Sequence, residues 1–272
     1  RVPRTCPDCG NQDVRTVGQG TEQLEEALNQ QLQAVRRPDG EALGVLRVDA
    51  DTTRGAGSLE EHLARAHSGA VDVLVGTQML AKGHDFRRIT LVAALNPDTG
   101  LFSSDFRAPE RLFSLLMQAG GRAGRDPALS GRGELWVQTC FPAHPLYAAL
   151  RKHDYPAFAQ QQLDERLAAG MPPFSHQALI RAEAREQQTA QAFLNATVAA
   201  TGSLPDAAQV QCYPAVPMVP QRIANRERAQ MLIESTSRAA LQRLLPQLGV
   251  LLRQHRTSAI LRWSIDVDPL AV

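Results

Sequence analysis

Two stretches of this chain hold residue types suited to phosphate chemistry. They are Gly76-Thr77-Gln78-Met79-Leu80-Ala81-Lys82-Gly83-His84-Asp85-Phe86 and Gln118-Ala119-Gly120-Gly121-Arg122-Ala123-Gly124-Arg125. The first follows the apolar run Val71-Asp72-Val73-Leu74-Val75, which predicts a loop leaving the end of a buried parallel strand, where open α/β sheets place their ligands. The second closes a predicted helix with two glycines and brings Arg122 and Arg125 just beyond them. Planar guanidinium forks match the oxygens of a polyphosphate. A Gly-rich turn alone only turns a chain, and surface arginines alone only solvate it; the order and spacing of the two stretches make the combination specific.

The elements that must position these residues follow an α/β pattern. A short strand is predicted over Val14–Val17, then a turn, with Thr21 as N-cap of a helix carrying Leu24, Leu28 and Leu32 at helical spacing. Ala42 to Val48 reads as a strand ending in the polar Asp49-Ala50-Asp51-Thr52-Thr53, and Ser58-Leu59-Glu60-Glu61 as a capping box opening a helix that ends near Gly69. Strands to Val75, over Ile89–Leu95 and over Glu134–Thr139 follow, with a helix from Ala108 to Ala119 between the last two. Repeated βα units with short connections predict a mostly parallel sheet flanked by helices.

At 272 residues and 43% hydrophobic content the chain can bury a sizeable core, and its net charge of +1 excludes a uniformly basic nucleic-acid coat while allowing local patches. Lys82 and Lys152 are the only lysines, so nearly all the positive charge is arginine. With no apolar run long enough to span a bilayer and no signal peptide in view, the expected location is the cytoplasm, away from membranes. Near the start stands Cys6-Pro7-Asp8-Cys9-Gly10, a turn in which two thiolates can grip one zinc ion. Zinc takes four ligands as a rule, and Cys140 and Cys212 read as small buried hydrophobes rather than the missing pair. Either Cys6 and Cys9 are half a zinc site completed by cysteines upstream of residue 1, or they form a CxxC without metal.

The phosphate stretches, with Asp105-Phe106-Arg107-Ala108 between them, resemble the second RecA-like lobe of superfamily 2 helicases. More narrowly, they resemble the PriA (primosomal protein N′) family of replication-restart DNA helicases. Gly18-Gln19-Gly20-Thr21-Glu22, Asp49 to Thr53 and the closing Arg262-Trp263-Ser264-Ile265-Asp266-Val267-Asp268-Pro269 extend that likeness over the whole chain. By this resemblance Gly76 to Phe86 is helicase motif V and the arginine turn is motif VI. The resemblance implies Arg125 as the arginine finger for ATP hydrolysis, Arg122 as the second choice, and Gln118 as a polar sensor at the same interface. It also implies that Gly83 and Asp85 approach the nucleotide while Thr77 and Gln78 couple that site to DNA phosphates, with the ATP and magnesium sites completed by a first lobe.

No Gly-x-x-x-x-Gly-Lys-Ser/Thr phosphate loop occurs in these residues, and Lys82 lacks a glycine cradle, so this chain alone is not expected to hydrolyse ATP. In the family those parts lie upstream, which makes the chain a C-terminal fragment in this reading. Residues 144–169 read as a helical connector with Tyr147, Leu150, Tyr155, Phe158, Leu163 and Leu167 supplying apolar contacts, broken by Gly170-Met171-Pro172-Pro173-Phe174. Beyond it come a strand (Ala178–Ala184), a helix (Glu186–Ala200), strands (Val210–Ala215 and Arg228–Glu234), a helix (Arg238–Gln254) and a strand (Ile260–Val267). That βαββαβ order is ferredoxin-like. The domain boundaries are thus set at 1–12 for the end of a cysteine-rich region, 13–143 for the lobe, 144–175 for the connector and 176–272 for a small α+β domain.

In that last domain Arg222, Arg226 and Arg228 flank a Pro-rich loop, Pro214 to Pro220, as a cluster suited to phosphates or as a merely solvated face. Ser235-Thr236-Ser237 caps the final helix, where Arg238 and Gln242 lie one turn apart beside free N–H groups and a positive dipole. The family resemblance implies that this domain binds branched DNA and the acidic tail of the single-stranded DNA-binding protein, and the start of this helix, with Arg238 and Gln242, is the expected tail site. It implies a monomeric three-prime to five-prime helicase that acts on single-stranded DNA and loads the replicative helicase with other primosome proteins. Two rivals stand beside it: another superfamily 2 repair or RNA helicase, and a non-enzymatic nucleic-acid-binding adaptor built on an inactive lobe.

Overall fold

The computed structural model describes residues 20–49, 51–53, 55, 57–78, 86, 88–103, 105–126, 131 and 133–270. The chain divides into two compact units, Arg1–His153 and Asp154–Val272.

The first unit contains α1 (Thr21–Leu32), β1 (Val45–Val48), α2 (Ser58–His67), β2 (Val73–Gly76), β3 (Leu91–Leu95), α3 (Asp98–Leu101), α4 (Ala108–Gly120), β4 (Glu134–Gln138) and α5 (Pro145–Lys152). β1 pairs with β2 in parallel, from Val45 opposite Val73 to Val48 opposite Gly76, and β3 with β4 in parallel, from Leu91 opposite Glu134 to Leu95 opposite Gln138. Parallel neighbours require a crossover, and α2 and α4 supply one each. The predicted strand over Val14–Val17 lies outside the described residues.

Two predicted caps are corrected. Gly20, not Thr21, is the N-cap of α1, and Gly57 in the left-handed region precedes α2 with no side-chain cap. Ser58 is already the first residue of the helix and so is not the cap of a capping box, and its Oγ donates to the Gly55 carbonyl at 2.7 Å, closing the preceding turn.

The Thr21 hydroxyl has a longer-range partner. It donates to Asp49 Oδ2 at 2.6 Å, linking α1 to the end of β1 across 28 residues. Asp49 Oδ1 also accepts the N–H groups of Asp51 and Thr52, each at 2.9 Å, and Thr53 Oγ1 donates to the Asp49 carbonyl at 2.6 Å. Arg47 completes the link, lying 3.2 Å from Glu25 on α1 and 3.4 Å from Asp49. The polar strand end is therefore a side-chain-closed turn. The Thr21 bond first, and then the backbone donors, lower the Asp49 pKa from 3.8 to about 2.

α4 buries Ala108, Leu112, Phe113 and Leu116 along one stripe. Its start is fixed by Asp105, whose carboxylate accepts from the Arg107 N–H at 2.9 Å and from the Arg111 guanidinium. Burial pushes the Asp105 pKa up, but these two donors outweigh it and hold the carboxyl below its usual range. At the other end Gly121, Arg122 and Ala123 continue in bonded turns, and the Gly124 N–H crosses to the Ile89 carbonyl at 2.8 Å. Gly124 has φ +73°, which L side chains rarely adopt. A Cβ at Gly133 would stand 2.7 Å from the Ala123 carbonyl carbon and oxygen, so only glycine lets the start of β4 approach this turn.

The second unit holds α6 (Tyr155–Ala168), β5 (His176–Ala184), α7 (Gln187–Thr201), β6 (Gln211–Cys212), β7 (Val216–Ile223), β8 (Arg226–Ser235), α8 (Arg238–His255) and β9 (Ile260–Val267). Its antiparallel sheet runs β6-β8-β5-β9, with β7 also on β8. That order with two crossover helices is ferredoxin-like. α7 and α8 close the core over β5 and β8, where Ile180, Leu194, Met231, Ile233 and Leu248 are wholly buried. Each such side chain contributes roughly 1.5–3 kcal/mol of hydrophobic free energy relative to exposure.

Three expectations in this half change. The residues predicted as one connector form two helices, α5 and α6, separated by His153 in the left-handed region, and Asp154 caps α6. Tyr147, Leu150 and Phe158 are buried there, but Tyr155, Leu163 and Leu167 are exposed. The Pro214–Pro220 loop is largely strand β7, because its prolines leave the pairing of Val216 with Gln230 and Arg222 with Glu227 intact on either side of an irregularity.

Folding depresses the Asp49 pKa, so the stabilisation is complete above 3.8 and is lost as pH falls through about 2. Thr21→Val is expected to lower stability at neutral pH by about 1.5–3 kcal/mol. Its deficit in chemical denaturation should narrow as pH falls from about 4 to about 2; parallel stability curves would contradict the link.

Candidate functional site

Gln118 occupies the last turn of α4, exposed, with its amide nitrogen 3.1 Å from Ser114 Oγ. Arg122 is half-buried in the turn that follows, and Arg125 is exposed with its Nε donating to the Gly121 carbonyl at 2.8 Å. All three side chains thus project from one backbone segment. That segment is pinned through Gly124 to Ile89, two residues before β3, and wedged against Gly133 before β4. On a segment held in this way, the backbone part of a guanidinium's ordering cost on meeting a ligand is taken at folding. Gly133 was not singled out in the sequence; its signal was a glycine directly before a strand, which commonly marks close backbone approach.

Thr77 and Gln78 lie immediately past the end of β2, exposed, after the buried Val75. This is the predicted placement at a parallel strand's carboxyl end. Gly83 and Asp85 lie outside the described residues. At the far end of the stretch Phe86 is buried and its ring stacks on His67 of α2, with centroids 5.2 Å apart.

A third support was invisible in the sequence. Asp98, at the start of α3, accepts from Thr139 Oγ1, from the Cys140 N–H at 2.9 Å and from the Tyr147 hydroxyl at 3.4 Å. These bonds, Thr139 foremost, hold its pKa below the usual carboxylate range. They join the ends of β3 and β4 to α5 across more than forty residues, a separation at which local spacing carries no information. Cys140, expected as a buried hydrophobe, is exposed at this junction, while Cys212 is half-buried and burial raises its thiol pKa.

The arginine cluster of the second unit is split by the sheet. Arg222 stands opposite Glu227 in the β7–β8 pairing, with the ion pair at 3.5 Å. Alternation along β8 puts Glu227 and Arg222 on one face and Arg226 and Arg228 on the other. Arg226 accordingly reaches Glu183 of β5 at 3.2 Å, and Arg228 contacts the Pro220 carbonyl at 3.3 Å. Arg238 and Gln242 are where the sequence put them, exposed on the first turns of α8, whose N-cap Ser237 accepts from the Ala240 N–H. Neither side chain meets a partner among the described residues.

Among the described residues no group of three or more His, Cys, Asp or Glu could hold a metal ion, and no helix is long and apolar enough to cross a membrane. Cys6 and Cys9 lie outside them.

Residues 12–127 match the family model described as helicase conserved C-terminal domain, and residues 168–270 the one described as primosomal protein N C-terminal domain. The chain is 39% identical over 268 residues to the replication restart protein PriA of Haemophilus influenzae, covering 98% of this chain and 35% of the relative. It is 33% identical over 278 residues to that of Bacillus subtilis, covering 98% of the chain and 32% of the relative. To that of Synechocystis it is 35% identical over 271 residues, covering 99% of the chain and 30% of the relative. The chain therefore spans about a third of the length of the curated relatives it matches. With a RecA-like helicase lobe preceding a ferredoxin-like domain, and relatives of one name aligned along nearly all of its residues, the chain belongs to the PriA family of replication restart proteins.

Proposed function

We propose that this chain is the C-terminal part of an ATP-dependent three-prime to five-prime DNA helicase that recognises stalled or branched forks and restarts replication. The observation that carries this reading is the arginine turn after α4, immobilised by Gly124 and Gly133 while Arg125 stays exposed. Phosphoryl transfer spreads negative charge over the transferring group, and a guanidinium held in place stabilises that charge as it develops. Arg125 is the finger, Arg122 its neighbour on the same segment, and Gln118 the polar sensor one helical turn earlier. Thr77 and Gln78, with Gly83 and Asp85, connect the nucleotide side to the phosphates of the bound strand. ATP and its magnesium are held mainly by a first lobe that supplies the phosphate loop, which these residues lack.

Cys6 and Cys9 provide two thiolates of a zinc site whose other ligands come from elsewhere in the longer protein. The second unit contributes contacts to DNA and takes the acidic tail of the single-stranded DNA-binding protein at α8. There the unengaged Arg238 and Gln242 lie beside the positive end of the helix dipole. The whole protein acts as a monomer in the cytoplasm with other primosome proteins and loads the replicative helicase.

In the protein carrying both lobes, Arg125→Ala is expected to lower DNA-stimulated ATP turnover by about 10³–10⁵, or roughly 4–7 kcal/mol, with single-stranded DNA affinity retained. Loss of DNA affinity with turnover preserved would assign Arg125 to the strand instead. Arg238→Glu is expected to weaken binding of the acidic tail peptide, read by fluorescence anisotropy, without changing basal ATP turnover; unchanged peptide affinity would remove α8 as the tail site.

A further inference from the structure

The face of the second unit's sheet away from α7 and α8 gathers arginines from three strands that are far apart in the chain. Ile180, Ala182, Met231 and Ile265 belong to or pack on the helix-side core. Residues one step along each strand point the other way. On that side Glu183 of β5 stands directly opposite Arg228 of β8 and Arg262 of β9, so the two arginines flank it at a backbone separation of about 10 Å, two strand spacings. One row along, Arg181 stands between Gln230 and Ser264. Arg226 lies beside them, bound to Glu183.

Charge on this surface is unbalanced. Among the described residues the ion pairs of its four guanidiniums include Glu183 with Arg226 at 3.2 Å and Asp266 with Arg181 at 2.7 Å. Arg262 is exposed and has no partner among the described residues, and the contact made by Arg228 is to a neutral carbonyl. At the opposite end of the same face Glu234 accepts from Ser175, Gln177 and the Tyr213 hydroxyl and makes no ion pair with these arginines.

We propose that this sheet face binds the sugar-phosphate backbone of DNA without regard to sequence, with Arg228 and Arg262 as the phosphate contacts and Arg181 and Arg226 oriented beside them by Asp266 and Glu183. Spread over three strands, the guanidiniums form a shelf. Their immediate neighbours Gln230 and Ser264 are hydrogen-bonding groups suited to phosphate oxygens. Arg222, on the other face, takes no part. The proposal rests on the DNA-binding role given above to the second unit, and it moves that role from a sequence cluster to a surface defined by strand register.

The test is a salt titration of the chain binding to single-stranded and forked oligonucleotides, for the parent, Arg228→Ala, Arg262→Ala, Arg262→Lys and Arg222→Ala. Arg228→Ala and Arg262→Ala should each reduce the slope of log affinity against log salt by about 1, equally for unrelated sequences, while Arg262→Lys retains most of it and Arg222→Ala leaves it unchanged. Thermal melting matching the parent shows that each variant is folded. A parent that binds DNA with the same slope and affinity as both Arg228→Ala and Arg262→Ala overturns this proposal alone. A parent with no DNA affinity overturns it together with the reading on which it rests. If the two variants lose an acidic peptide while keeping DNA, the face belongs to a protein partner and the proposal fails.

Discussion

The first unit depends on the close approach of two backbones, the turn after α4 and the start of β4. A single Cβ at Gly133 would collide with the Ala123 carbonyl, and carbonyl atoms of a bonded turn cannot swing away as the end of a side chain can. The Gly124 N–H takes the Ile89 carbonyl in the same place, so β3, β4 and the turn are fixed together. The arginines inherit that rigidity. An exposed Arg125 on a loose loop would sample many orientations and lose entropy on meeting a developing negative charge; on this turn the backbone part of that loss is taken at folding.

Carboxylates do the corresponding work elsewhere, and none of those named is left to solvent alone. Asp49 joins α1 to β1, Asp105 starts α4, and Asp98 gathers the ends of β3 and β4 onto α5. Each is held ionised by side-chain donors together with backbone N–H groups, and each stabilises a connection that leads toward the exposed residues at strand ends or helix ends. The second unit uses another principle: a dry helix-side core specifies the sheet, and strand register alone decides which charged residues become neighbours.

That difference explains what could be read from the chain. Period and punctuation located most helices and strands, including α4 closing at Gly120 and β9 over Ile260–Val267, because those signals are local. The ferredoxin-like order followed from the succession of elements. Thr21 and Ser58 misled because each is already the first residue of its helix, with a glycine before it as the cap, and its hydroxyl donates elsewhere, to Asp49 and to the Gly55 carbonyl. The Pro-rich stretch of β7 hid a strand, since a strand paired on one side tolerates proline: Pro217 keeps its place opposite Ala229 and Pro220 falls in the irregularity. Arg222, Arg226 and Arg228 looked like one cluster in sequence, yet alternation separates Arg222 from the other two and register brings Arg262 to them from beyond α8. The Asp98 junction joins residues more than forty apart, which no window of the sequence spans, and the Gly133 contact is between two backbones that no periodic signal relates.

The central claim is that the arginine turn completes an ATP site whose phosphate loop lies in another part of the protein. It is tested most directly by measuring ATP hydrolysis, with and without single-stranded DNA, on this chain and on the chain extended upstream to include the first lobe. The account predicts no turnover by the chain alone and DNA-stimulated turnover by the extended protein. A correctly folded extended protein that stays inert with DNA would contradict it and would leave the lobe as part of a non-enzymatic DNA-binding adaptor.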